Sequence, residues 1–255
     1  MKDGGVSQSR SRDHYSYTVY ADPATAQSFD ERRFGGPIGE LVASEQARIL
    51  ISFVGDIRDR SVLDVGTGTG RAAMLMARAG ARVTAIDASD EMLSIARRRA
   101  IDENLTVAFS LGDVHDLGFE NRSFDIAISL RVLMHAADWR ESVAELCRVS
   151  DRLVIFDYPS AMSFAALQAA VRRLTHALGV RTEPYRVLRG QAVARQLDRS
   201  GFRIRSIHRQ FFLPIAFHKA IGSQRFTAAL EGLFHKLGLV RLFGTPVTLV
   251  AERCN

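Results

Sequence analysis

The residues best suited to chemistry lie between positions 64 and 87. Asp64-Val65-Gly66-Thr67-Gly68-Thr69-Gly70 sets one carboxylate and three glycines in a single short string. Gly66 and Gly68 can turn the chain sharply off a strand and let main chain approach a ligand closely, because neither carries a Cβ. A helix opening after Gly70 aims its first N–H groups at whatever sits there. Asp87 ends the next apolar run, Val83 to Ile86. A carboxylate in that place can accept both hydroxyls of an adenosine ribose. Two cofactor classes share this layout. Gly68-Thr69-Gly70-Arg71-Ala72-Ala73 formally fits the nicotinamide pattern GxGxxA, but it puts Arg71 among the phosphate contacts. The full string DxGxGxG fits the other class better.

Those side chains need a scaffold. Short apolar runs at 61–65, 82–86, 105–109, 123–128 and 152–156 read as strands. Helical stretches at 71–79, 90–100 and 139–149 separate them, the second opened by Ser89 as an N-cap. Strands this continuously apolar are covered on both faces, so the pattern predicts a doubly wound α/β domain with a parallel sheet. Gly35-Gly36-Pro37 starts an earlier helix over 37–53. After Pro159 the rhythm changes. Residues 160–180 and 189–200 read as helices, 202–212 as a strand, and 245–251 as a last strand. Between the last two, Phe226, Ala229, Leu230, Leu233, Phe234 and Leu237 form an apolar stripe read as simple core packing. Residues 1–20 read as a flexible tail and 21–255 as one domain, with 160–200 and 213–243 inserted on the substrate side or as a lid.

In these strings the sequence resembles the class I S-adenosylmethionine-dependent methyltransferases, nearest to the small-molecule branch that includes ubiquinone and menaquinone biosynthesis enzymes. VLDVGTGTGR at 62–71, VTAIDAS at 83–89 and LGDVHDLGFENRSFDIAISLRVLMHAAD at 111–138 carry the likeness. The resemblance implies a seven-stranded, mostly parallel Rossmann-like sheet whose last strand is antiparallel, with helical insertions after strand 5 and between strands 6 and 7. It implies S-adenosyl-L-methionine as cofactor. Gly66, Thr67, Gly68 and Gly70 would cradle its methionine and ribose part. Asp64 would fix the loop, and Asp87 would bind ribose hydroxyls. Ala88 and Met92 would line the adenine, Asp113 would accept its amino group, and Val114 would donate a backbone N–H. Ser129 and Leu130 would close the site. Arg131 and His135 would face the substrate as the catalytic candidates, and Tyr20, with Tyr15 and Tyr17, could fold over the cofactor.

Methyl transfer from such a donor rests mostly on proximity and orientation. His135 is the best base if the acceptor must lose a proton, with His14, His208 and His218 weaker candidates. The expected product is a methylated O, N or C of a small organic molecule, lipophilic or anionic. The competing readings are a methyltransferase-fold binding subunit without activity and a nicotinamide oxidoreductase.

Charge is unevenly spread. The chain carries a net +6, but residues 160–255 hold 15 basic and 4 acidic side chains, a surplus of eleven. A basic helix with an apolar face can lie on an anionic membrane, so 160–243 is a candidate for peripheral membrane contact. A cleft for an acidic small molecule accounts for the charge equally well. Nucleic acid is disfavoured, because the aromatics cluster with leucines rather than lysines. Two distant cysteines, no zinc-ligand cluster and no apolar leader lead to an expected cytoplasmic location without a metal. Oligomeric state stays open.

Overall fold

The computed structural model describes residues 26–177 and 185–254. Seven strands form one sheet: β1 (Ser61–Val65), β2 (Arg82–Asp87), β3 (Val107–Leu111), β4 (Phe124–Ser129), β5 (Ser150–Tyr158), β6 (Phe202–Phe211) and β7 (Thr245–Arg253). Their spatial order is β3-β2-β1-β4-β5-β7-β6. The first five run parallel, and β7 is antiparallel to both β5 and β6. This is the doubly wound, mostly parallel architecture expected from the strand pattern.

Ten described helices flank the sheet: α1 (Phe29–Phe34), α2 (Gly36–Val54), α3 (Arg71–Arg78), α4 (Asp90–Asp102), α5 (Trp139–Val149), α6 (Phe164–Ala177), α7 (Gly190–Arg199), α8 (Ile215–Ile221), α9 (Gln224–Lys236) and α10 (Leu239–Phe243). Alternate residues of the inner strands feed two cores. Leu63, Val65, Ala127, Val154 and Phe156 meet Val143 and Leu146 of α5 and Val193 and Leu197 of α7. Val62, Ile126, Ile128 and Ile155 face the other way, onto Leu50 and Phe53 of α2 and Met74 and Met76 of α3. Helices on both faces are the reason these strands read as unbroken apolar runs rather than as alternating ones.

Helix starts are built from local chemistry. Ser89 Oγ accepts the Met92 N–H at 3.2 Å, which opens α4. Asp138 Oδ1 accepts the Arg140 N–H at 2.8 Å, which opens α5. Because β1 pairs with β2 on one side and β4 on the other, the loops after β1 and β4 diverge. A crevice opens at their carboxyl ends, the place where open α/β sheets bind ligands.

The apolar stripe on α9 departs from the core reading. Phe226, Leu233 and Leu237 are 46%, 51% and 63% exposed, while the buried side chains of α9 are Thr227 and Glu231. The reason is a polar clasp. The Glu231 carboxylate accepts the backbone N–H groups of Phe212 at 2.8 Å and Leu213 at 3.1 Å. It also meets buried His218 Nε2 at 2.8 Å, and His218 Nδ1 meets Thr227 Oγ1 at 3.1 Å. The clasp ends β6 and turns that face of α9 inward. Phe234 does pack inward, its ring 4.6 Å from that of Phe212.

Candidate active site

A cavity lies at the carboxyl ends of β1, β2 and β4. The first loop builds its floor. The Gly66 and Thr67 N–H groups both donate to Ile86 O, at 2.9 and 3.0 Å, so the chain folds back over the end of β2. Gly66 has φ 69°, and a Cβ there would lie 2.3 Å from Val132 Cγ2. Gly68 has φ 56° and its Cβ position faces open space. Gly66, Thr67 and Gly68 line the cavity. Gly70 sits behind it, at the N-terminus of α3 with φ 83°.

Two carboxylates flank this loop. Asp64 is buried, and its Oδ2 accepts Thr67 Oγ1 at 2.6 Å. Burial pushes its carboxyl up to about 6. Asp87 accepts the Gly68 N–H on Oδ2 at 2.7 Å and the Ser89 N–H on Oδ1 at 2.9 Å. Burial raises it too, against the pull of those N–H groups. Both acids therefore brace the loop in a place that disfavours their ionised forms. Ala88 and Met92 continue the wall beside Asp87.

The third segment differs in detail from the sequence reading. Gly112, Val114 and His115 line the cavity, whereas Asp113 stands behind them. Asp113 Oδ1 accepts the His115 N–H at 2.9 Å and faces His115 Nδ1 at 2.7 Å. His115 Nε2 accepts the Asp138 N–H at 3.2 Å, which leaves the ring proton on Nδ1, toward Asp113. Ser129 is fully buried below the cavity, where its Oγ donates to Val65 O at 3.0 Å and ties β4 to β1. Leu130, Arg131, Val132 and His135 line the opposite wall. Arg131 holds the left-handed conformation, φ 65°, and its N–H donates to Asp157 Oδ1 at 2.5 Å. A non-glycine residue held there costs about 1–3 kcal/mol and is typical of functional loops.

Helix α1 forms the roof through Phe29, Arg33 and Phe34. Asp30 Oδ1 accepts Thr69 Oγ1 at 2.9 Å, and its Oδ2 pairs with Arg99 at 2.5 Å. The Arg71 guanidinium lies 4.0 Å from the centre of the Phe34 ring. Lys219 Nζ donates to Arg32 O at 2.8 Å and Arg33 O at 3.1 Å. Sequence reasoning missed Arg33, Arg71 and His115 as cavity residues. The last carried a local signal, since an acid two positions before it forms an Asx-type turn.

The other candidates fall elsewhere. His208 stands 3.4 Å from Glu45, and His218 belongs to the α9 clasp; neither lines the cavity. Tyr20, Tyr15, Tyr17 and His14 lie outside the described residues. Among the described residues no group of three or more His, Cys, Asp and Glu side chains could hold a metal ion, and no helix is long and apolar enough to cross a membrane.

Known proteins resemble this chain in sequence and in fold. A family model described as a methyltransferase domain matches residues 62–152. Demethylmenaquinone methyltransferase of Tropheryma whipplei (strain Twist) is 30% identical over 214 residues, covering 77% of this chain and 87% of that protein. An uncharacterized 37.1 kDa protein in transposon TN4556 of Streptomyces fradiae is 34% identical over 182 residues, 64% of this chain. The chain spans about half the length of that second relative, 49%. Among solved structures, magnesium protoporphyrin IX methyltransferase of Synechocystis PCC 6803 with bound SAH has a TM-score of 0.63 at 20% identity, covering 92% of this chain and 99% of that one.

Proposed function

Because the chain belongs to the class I S-adenosylmethionine-dependent methyltransferase family, we propose that this cavity binds S-adenosyl-L-methionine and directs its methyl group to an O, N or C atom of a small organic molecule. When bound, the cofactor supplies a methyl group activated by a sulfonium. The residues present suit it. One buried and one half-buried carboxylate, both with ionised forms short of solvation, suit a ligand that brings positive charge and hydroxyl donors. The open Cβ position at Gly68 leaves room for its backbone to approach that ligand.

In this reading Gly66, Thr67 and Gly68 offer backbone beside the methionine and ribose part. Asp64 holds Thr67 and faces the ammonium. Asp87 accepts ribose hydroxyls. Ala88, Met92, Val114 and His115 line the adenine, and Asp113 acts by fixing His115. Leu130 closes the cofactor side, and Ser129 keeps β4 against β1 beneath it. Arg131 and His135 face the acceptor, where His135 can take a proton if the nucleophile must lose one. The described residues of 160–200 and those of 213–243 form the acceptor side. The likeness to a demethylmenaquinone methyltransferase supports an apolar acceptor body, and Phe29, Phe34, Leu130 and Val132 give the cavity an apolar wall.

The observation that carries this reading is the pair Asp64 and Asp87 set on either side of one glycine loop. Calorimetric titration with S-adenosylhomocysteine tests it. Stoichiometric binding is expected, and no binding by folded protein would overturn the reading.

A further inference from the structure

The amphipathicity of α9 is inverted. Its polar Thr227 and Glu231 are buried in the clasp, while its apolar Phe226, Leu233 and Leu237 face out. Those three recur at helical spacing, so they share one side of the helix. The neighbouring helices repeat the pattern. Helix α8 buries His218 and exposes Phe217 and Ile221, and α10 exposes Leu242. The three helices are joined, because His218 of α8 meets Glu231 and Thr227 of α9, and Phe234 of α9 and Phe243 of α10 both pack on Phe212. Among the described residues fourteen large apolar side chains are exposed, and six of them fall within 217–242. Single exposed apolar residues are ordinary, but a cluster on joined helices marks a contact surface.

The charges on these helices select what covers the surface. Arg225, Lys236 and Arg241 directly precede the exposed Phe226, Leu237 and Leu242. All three bases are exposed, and among the described residues none of them has a salt bridge or a side-chain hydrogen bond. The one acid of 213–243 is Glu231, whose carboxylate is taken up by the clasp. Helix α2 packs against α8 and α9, and its acids, exposed Glu40 and Arg48-paired Glu45, leave the balance positive. A second copy of the chain fits this surface poorly, because a two-fold contact would set the same bases against each other. A nucleic acid matches the charge but not the leucines. A bilayer with anionic lipids matches both, since the apolar side chains can enter the acyl boundary while the bases meet phosphate headgroups.

We infer that the outer face of α8, α9 and α10 is a docking surface for an anionic lipid bilayer. The inference goes beyond the methyltransferase reading of the cavity and does not depend on it. The surface adjoins the cavity roof, because Lys219 of α8 holds the last turn of α1 by two carbonyls. That lysine is spent on α1 and is not counted among the three bases.

Vesicle flotation with the full chain tests it. Vesicles of phosphatidylcholine and phosphatidylglycerol in equal parts are expected to bind the protein about tenfold or more tightly than phosphatidylcholine alone, with the difference shrinking as salt rises. Phe226→Ser, Leu233→Ser and Leu237→Ser combined should abolish binding. Arg225→Gln, Lys236→Gln and Arg241→Gln combined should bring anionic vesicles to the level of neutral ones, and keep the test decisive should the serine variant fail to fold. Ile101→Ser on α4, at a more exposed apolar position, should bind as the wild type does. So should Arg195→Gln with Arg199→Gln on α7. The inference is overturned by absent binding to anionic vesicles, by equal binding to both kinds, or by binding that survives in the serine or glutamine surface variants. Loss of binding in either control would place the contact elsewhere and overturn it too. A dimer seen by light scattering and dissociated by the serine substitutions would give the face to a second copy, with the same result.

Discussion

Asp64 carries two opposed pH dependences. Its carboxyl is raised to about 6 by burial, above the value of an unfolded chain. Between the unfolded value and about 6 the folded protein therefore binds the extra proton, and the cofactor-free fold loses stability as pH rises through that window. Binding a cationic ligand works the other way, since the ammonium favours the ionised form. The affinity for S-adenosylhomocysteine should fall as pH drops through about 6, by up to roughly tenfold per pH unit. Titrations from pH 5 to 8 would show it, and Asp64→Asn should flatten the profile. Asp87→Ala removes a charged acceptor and should weaken the same ligand by about 1–3 kcal/mol. Equal affinity would mean that the ribose lies elsewhere. Gly66→Ala combines a left-handed backbone with a Cβ 2.3 Å from Val132 Cγ2. The backbone term alone is about 1–2 kcal/mol, so a lower melting temperature and poor ligand binding should appear together.

At the scale of elements, the clasp at Glu231 is what seats α9 against the end of β6. Removing that carboxylate strands two backbone N–H groups and His218 in a buried place. Glu231→Ala should cost about 3 kcal/mol, read as a denaturation midpoint shift. Glu231→Gln should cost less, since the amide oxygen can still accept. Elements with a period to display were legible from sequence. The strands around Leu63, Ile126 and Ile155 were readable because both faces are buried, and the starts of α4 and α5 followed from Ser89 and the run after Asp138. The α9 stripe misled for a physical reason. Six apolar residues at helical spacing suggest a buried face, but one ionisable group with three partners outweighs them in setting the rotation of a short helix. The cavity floor was legible because its residues are local in sequence. The roof was not, since Phe29, Arg33 and Phe34 reach the cavity through tertiary contacts that no spacing encodes.

For the molecule as a whole, the positive surplus of residues 160–255 has a structural use. Arg205 donates to Phe53 O at 2.7 Å, Arg209 to Gly244 O at 3.3 Å, and Arg253 to Cys147 O at 2.7 Å. Such bonds join chain segments far apart in sequence by satisfying carbonyls at element ends. Lys219 extends the pattern to the site, because it holds the last turn of α1 by two carbonyls. Lys219→Met should loosen the roof alone. Amide exchange across 29–36 should speed up, while β1 keeps its protection. That one lysine also bears on the order in which the site is assembled. Helix α1 leaves the ribosome before any of the described strands does, yet one of its ties, beside those of Asp30 and Phe34, is made 187 positions later. A nascent chain can complete the sheet from β1 to β5, with the glycine loop in place, and still lack this clamp on the roof. The first of these described helices thus receives its last clamp late, and a chain stalled before residue 219 would hold the roof by Asp30 and Phe34 but without the lysine.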